Sequence, residues 1–160
     1  MISQLLKVHY FLAKLKNAKL IFLFVLANLL LSFLFSLVLS FFDKKKLTTG
    51  FIPFNSVVEE ILVAIFLAPL IETLIFQVAI IETIKKKLSP LLSCTVSALF
   101  FGLLHYYNFY YVLFAFLVGL MFAYLYYIGG SILRGSLLVL GTHALYNSIV
   151  FALSHIFKII

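Results

Sequence analysis

Acidic residues are scarce in this chain: Asp and Glu together number five among 160 residues, and Asp43 is the one aspartate. A single aspartate excludes the paired carboxylates of an aspartyl protease. Charged residues of both signs make up 11% of the chain, where a soluble domain has roughly a quarter. A water-soluble globule is therefore excluded. The single cysteine, Cys94, rules out an intramolecular disulfide and leaves the redox compartment unread. There is no G-x-S-x-G turn for a serine nucleophile and no H-E-x-x-H helix for a zinc protease. The internal repeat common in transporters is missing as well.

What the chain does have is apolar length. Hydrophobic residues are 65% of it and its mean hydropathy is +1.22. Such a length holds about five membrane helices of roughly 20 residues each. The expected fold is all-α, a multi-pass transmembrane helical bundle of about five spans with an interfacial N-terminal segment. Residues 1–52 are expected to hold that segment and the first span, and 53–160 the core that carries the chemistry. A net charge of +7 invites nucleic acid as a partner. The lysines, however, gather at Lys14, Lys16 and Lys19, at Lys44 to Lys46 and at Lys85 to Lys87, flanking apolar runs as topology signals do. The expected partners are membrane lipid and a membrane-associated substrate, with no nucleic acid.

The spans follow from length and punctuation. Met1 to Lys19 mixes Leu, Val and Phe with lysine, as an interfacial amphipathic segment does. Leu20 to Phe42 is too long for a signal-peptide core and is expected to be retained as the first span. Asp43 to Pro53 reads as a loop. The second span is expected over Ile61 to Ile84, after the helix-start acids Glu59 and Glu60, with a kink at Pro69. The third is expected over Ser89 to Tyr106 with Pro90 in its first turn, and the fourth over Phe109 to Ile128, ended by Gly129 and Gly130. The fifth is expected from Arg134 to His155. Tyrosines at Tyr106 to Tyr111 and Tyr124 to Tyr127 bracket the fourth span at headgroup level, although packing in a helix interface accounts for Tyr124 equally well. Alternation places the N-terminus, Lys85 to Lys87 and Arg134 on one side, expected to be the cytoplasmic face of a bacterial cell membrane, against Lys44 to Lys46 and Lys158.

Four polar residues fall inside these apolar spans: Glu72, His105, His143 and Asn147. Ionisable groups at membrane depth are costly and ordinarily face the bundle interior, where they do something. At about 1.5 Å per residue, Glu72, His105 and Asn147 lie roughly 20 to 22 Å in from the lysine-rich face, and His143 roughly 13 Å. Three helices thus bring polar groups to within one or two turns of a common depth. His143 and Asn147 are four residues apart and share a helix face, as do Phe101 and His105, with Gly102 beside them allowing close approach. Thr73 and Gln77 have the same spacing next to Glu72. A lone histidine in an apolar helix is ordinarily a packed, hydrogen-bonded residue; the shared depth favours one polar site instead. His9 and His155 have no partner at matching depth and are expected at the interface, while Glu82 is expected as a solvated helix end or as an i,i+4 partner of Lys86.

These residues carry a resemblance. The chain resembles the CPBP family, the CAAX-protease and bacteriocin-processing (Abi) intramembrane peptidases, whose signature is E-E-x-x-x-R, then F-x-x-x-H, then H-x-x-x-N or H-x-x-x-D on separate helices. The first motif reads Glu72-Thr73-Leu74-Ile75-Phe76-Gln77, behind Ala68-Pro69-Leu70. The second is Phe101-Gly102-Leu103-Leu104-His105, and the third His143-Ala144-Leu145-Tyr146-Asn147. Order and spacing fit over roughly Val57 to Phe151. Two positions depart: Thr73 stands for the second glutamate and Gln77 for the arginine. Together they are expected to replace a Glu–Arg ion pair by a hydrogen bond to each other or to Glu72.

The resemblance implies an intramembrane endopeptidase in which Glu72, helped by His105, activates water while His143 and Asn147 stabilise the oxyanion, with Thr73, Gln77 and Phe101 in support. A metal-free glutamate mechanism is the one expected, although the family is often labelled metalloprotease. Zinc held by Glu72, His105 and His143 is the alternative, weighed down by asparagine being a poor zinc ligand. A non-catalytic scaffold or immunity-type protein of the same fold, or a proton-coupled transporter using the same buried groups, are the competing functions.

Overall fold

The computed structural model describes residues 2–42 and 54–155, all of the regular structure being helical. Among the described residues six helices follow one another: α1 (Ile2–Ala13), α2 (Asn17–Phe42), α3 (Val57–Ile84), α4 (Pro90–Leu104), α5 (Phe109–Gly129) and α6 (Ile132–His155). The protein is a multi-pass helical bundle. Four of these, α2, α3, α5 and α6, are long and apolar enough to cross a membrane. The expected third span is shorter than a crossing. At 15 residues α4 reaches about 22 Å, below the roughly 30 Å of a bilayer core. It stops there because the chain turns at His105 and Asn108 starts the next helix, its Oδ1 accepting from the Tyr111 amide at 2.9 Å.

Local signals set the other boundaries. Ser56 caps α3 by accepting from the Glu59 amide at 3.1 Å, and the Glu59 carboxylate returns to the Asn55 amide at 2.8 Å. Ser89 caps α4, with Pro90 in the first turn. Gly130 ends α5 at φ 70, a left-handed conformation that a side chain resists. Bulky apolar side chains on α2 and α3 point outward, among them Phe33 and Phe66, as lipid-facing residues do. The core lies where α3, α4, α5 and α6 meet, around Phe76, Phe101, Phe122, Leu138 and Val139. There α4 and α5 come close at Gly102: a Cβ on it would stand 2.9 Å from the Val112 carbonyl oxygen.

α3 is unusual in its winding. Two π-helical stretches, Ile61–Leu67 and Thr73–Ile81, enclose a short α-helical piece, Ala68–Glu72. Pro69 opens that piece and is buried. A proline ring clashes with the carbonyl four residues back, and a wider turn ahead of it relieves the clash. The sequence predicts a break at Pro69, and the winding changes there.

The N-terminal segment, Lys85 and Arg134 sit at one end of the bundle. Arg134 donates from Nε to Asn17 Oδ1 at 2.9 Å and from Nη2 to the Leu15 carbonyl at 3.2 Å, holding the α1–α2 turn. At the same end a cavity of about 360 Å³ is lined by His9, Ala13, Glu82, Lys85, Tyr126 and Ser131. His9 packs against Tyr124 and Tyr127 with ring centres 6.1 and 6.0 Å away. Glu82 pairs with Lys85 at 2.6 Å rather than with Lys86, and also accepts from the Tyr126 hydroxyl at 2.8 Å. The expected loop at 43–53, with Lys44 to Lys46, and Lys158 fall outside the described residues.

Candidate functional site

Glu72 stands at the end of the α-helical piece of α3, where the winding widens again. Its two oxygens face two histidines from two other helices. His105 Nε2 lies 4.0 Å from Oε1, and His143 Nε2 lies 3.9 Å from Oε2. All three side chains are largely removed from solvent, at 15%, 16% and 10% exposure for Glu72, His105 and His143. The depth agreement in the sequence is thus a real meeting of side chains.

Each histidine is held differently. His105 is the C-cap of α4, and its Nδ1 bonds the Phe101 carbonyl at 2.7 Å. A carbonyl only accepts, so Nδ1 carries the proton and the Nε2 lone pair of the neutral ring is turned to Glu72. The ring stacks on Phe101 at 4.7 Å and meets Tyr111 at 5.7 Å. His143 lies against Phe122 at 4.8 Å, and its Nδ1 has no hydrogen-bond partner among the described residues. Phe101 forms the shared floor: its ring meets Phe76, His105, Phe122 and His143 at 5.3, 4.7, 6.0 and 6.3 Å. Phe122 carries no spacing signal in the sequence, and nothing short of the fold reveals it.

Asn147 also reaches α3. Its Nδ2 donates at 2.6 Å to the carbonyl of Ala64, two turns of α3 before Glu72. Thr73 and Gln77 do not form the expected hydrogen bond. Thr73 Oγ1 and both polar atoms of the Gln77 amide are buried with no partner among the described residues. The i,i+4 spacing puts both on the buried side of α3, but in the wider turn they do not reach one another or Glu72. His155 is not an unpartnered interfacial residue: its Nε2 lies 3.1 Å from Glu60 Oε2, joining the end of α6 to the start of α3.

The model of the family described as type II CAAX prenyl endopeptidase Rce1-like matches residues 53–149. The chain belongs to this family. The Rce1-like region contains Glu72, His105, His143 and Asn147, while α1 and α2 lie outside it. α2 nevertheless reaches the neighbourhood of the site. Ser32 on it gives its proton to the Asn28 carbonyl at 2.9 Å, so the Tyr146 hydroxyl, 2.6 Å away, donates to Ser32. No curated protein and no solved structure matches the chain.

As for a metal, no group of three or more His, Cys, Asp or Glu side chains among the described residues is arranged to hold one. Two ligands on a tetrahedral zinc stand about 3.3 Å apart, closer than the separations of Glu72 from the two histidines at 3.9 and 4.0 Å. His143 Nδ1 also lacks the outer-shell acceptor that a metal-bound imidazole normally has. The site as arranged does not fit zinc.

Proposed function

We propose that this protein is an intramembrane endopeptidase of the CAAX-protease type, cleaving a peptide bond of a membrane-associated substrate with an activated water. The observation that carries this reading is the facing of Glu72 by two histidines on separate helices, inside a chain of the Rce1-like family. The gap of 4.0 Å between Glu72 Oε1 and His105 Nε2 is too long for a direct hydrogen bond and fits a water bonded to both.

Glu72 takes the proton of that water as it attacks the substrate carbonyl, and His105 assists through its Nε2 lone pair. The carbonyl oxygen becomes an oxyanion, which His143 stabilises by donating from Nε2. The proton on Glu72 then passes to the leaving amine. The two new ends are a carboxylate and an amine, and the enzyme returns to its starting state. Apolar walls from Phe101 and Phe122 strengthen each of these charge interactions by keeping the dielectric low. The protein sits in a bacterial cell membrane with the Arg134 and Lys85 end cytoplasmic, in keeping with the lysine bias.

Cleavage of a panel of membrane peptides in water labelled with heavy oxygen tests this reading. Direct attack by water puts the label in the new carboxylate of the product. A product without label contradicts it, and so does a protein that cleaves nothing across prenylated and unprenylated peptides.

A further inference from the structure

Two backbone carbonyls of α3 are occupied by side chains from other helices, and they bracket Glu72. On one side Asn147 of α6 donates to the Ala64 carbonyl at 2.6 Å; on the other, Ser97 of α4 donates from its hydroxyl to the Phe76 carbonyl at 2.8 Å. Both carbonyls lie in π-helical stretches, and the short piece ending at Glu72 lies between them.

The first of these carbonyls is free for a reason the sequence states. Just ahead of Pro69 the helix bonds five residues back: the Ala68 amide donates to the Val63 carbonyl. In that register the next donor, to Ala64, is the amide of residue 69. Residue 69 is proline and has no N–H. The Ala64 carbonyl is left open inside the membrane, where an unpaired carbonyl is costly. Asn147 fills the place.

Asn147 lies one turn of α6 past His143, and one hydrogen of its amide is committed two turns up α3 from Glu72. We infer that Asn147 is a positioning residue: its amide replaces the N–H that Pro69 lacks, and together with Ser97 it fixes the rotation of the α3 piece that carries Glu72. The clamp rests on geometry alone; its effect on turnover rests on the hydrolytic reading above.

A cycle of four full-length proteins in detergent tests it: native, Pro69→Ala, Asn147→Ala and the double variant, each followed by peptide cleavage and by thermal unfolding. Asn147→Ala lowers kcat by about 10²-fold through misplacement of Glu72, with KM little changed, and lowers Tm. In the Pro69→Ala background the new N–H at position 69 bonds the Ala64 carbonyl, so both losses shrink by at least half. Equal losses in the two backgrounds overturn the inference. If Asn147→Ala does not fold, Asn147→Leu, of nearly the same shape and without a donor, takes its place in the cycle. The Tm cycle decides the clamp even if no peptide is cleaved, whereas failure of the hydrolytic reading appears as no cleavage by the native protein or as cleavage that does not depend on Glu72.

Discussion

The Nε2 atom of His143 faces the Oε2 atom of Glu72 at 3.9 Å, while the other nitrogen of the same ring has no partner among the described residues. The ring lies tilted against Phe122, and no hydrogen bond holds it at Nδ1. Nε2 is therefore available to donate to a charge that develops during reaction. His143→Leu should lower kcat by about 10²–10³-fold, the usual effect of removing one oxyanion donor. Steady-state cleavage measures it, and a fall of less than threefold would assign the ring to packing alone.

Gln77 is fully buried with neither amide atom bonded to protein among the described residues. A buried unsatisfied group costs about 1–3 kcal/mol. Gln77→Met, of similar length and without the amide, should hold or raise Tm in detergent. Gln77→Arg should lower it, since a buried cation with no carboxylate beside it costs about 3–5 kcal/mol. The two variants moving in the same direction would contradict this account.

Gly102 sits one turn before His105 where α4 meets α5. A Cβ there would stand 2.9 Å from the Val112 carbonyl oxygen and 3.0 Å from Phe116 Cβ. Gly102→Ala should therefore push α4 away, costing about 1–3 kcal/mol by overpacking and moving His105 from Glu72. Thermal unfolding and cleavage should both fall. Loss of neither would mean that α5 yields without cost.

Much of the site could be read in advance, and the reason is geometric. Glu72, His105 and His143 are rare polar groups in apolar spans, and a rise of about 1.5 Å per residue places them at comparable depth without any fold being known. Two helix ends are legible for the same kind of reason: Pro90 suits the first turn of α4, and Gly130 takes the left-handed backbone that ends α5. What escaped depends on winding and on partners far along the chain. The π-helical stretches of α3 alter which residues face which neighbour, so the i,i+4 spacing of Thr73 and Gln77 promised a bond that is not made. Pro69 was visible as a break, but not that the carbonyl it frees would take the amide of Asn147. The length of α4 was overestimated because its apolar run continues through a turn.

Tyr146 links the family region to α2 through Ser32. Tyr146→Phe removes the proton that Ser32 accepts and should cost about 1 kcal/mol or less, the usual value for a hydrogen bond between membrane helices. Ser32→Ala should cost a similar amount, and the double variant little more than either single one. Additive losses in thermal unfolding would show that the two hydroxyls do not depend on one another.

The most direct measurement is turnover of Glu72→Gln beside the native protein, with thermal unfolding of both. The amide keeps the shape and burial of the side chain and loses the base. Loss of all measurable cleavage with Tm retained is the predicted result; cleavage at the native rate by the Glu72→Gln protein would contradict the central role of this carboxylate.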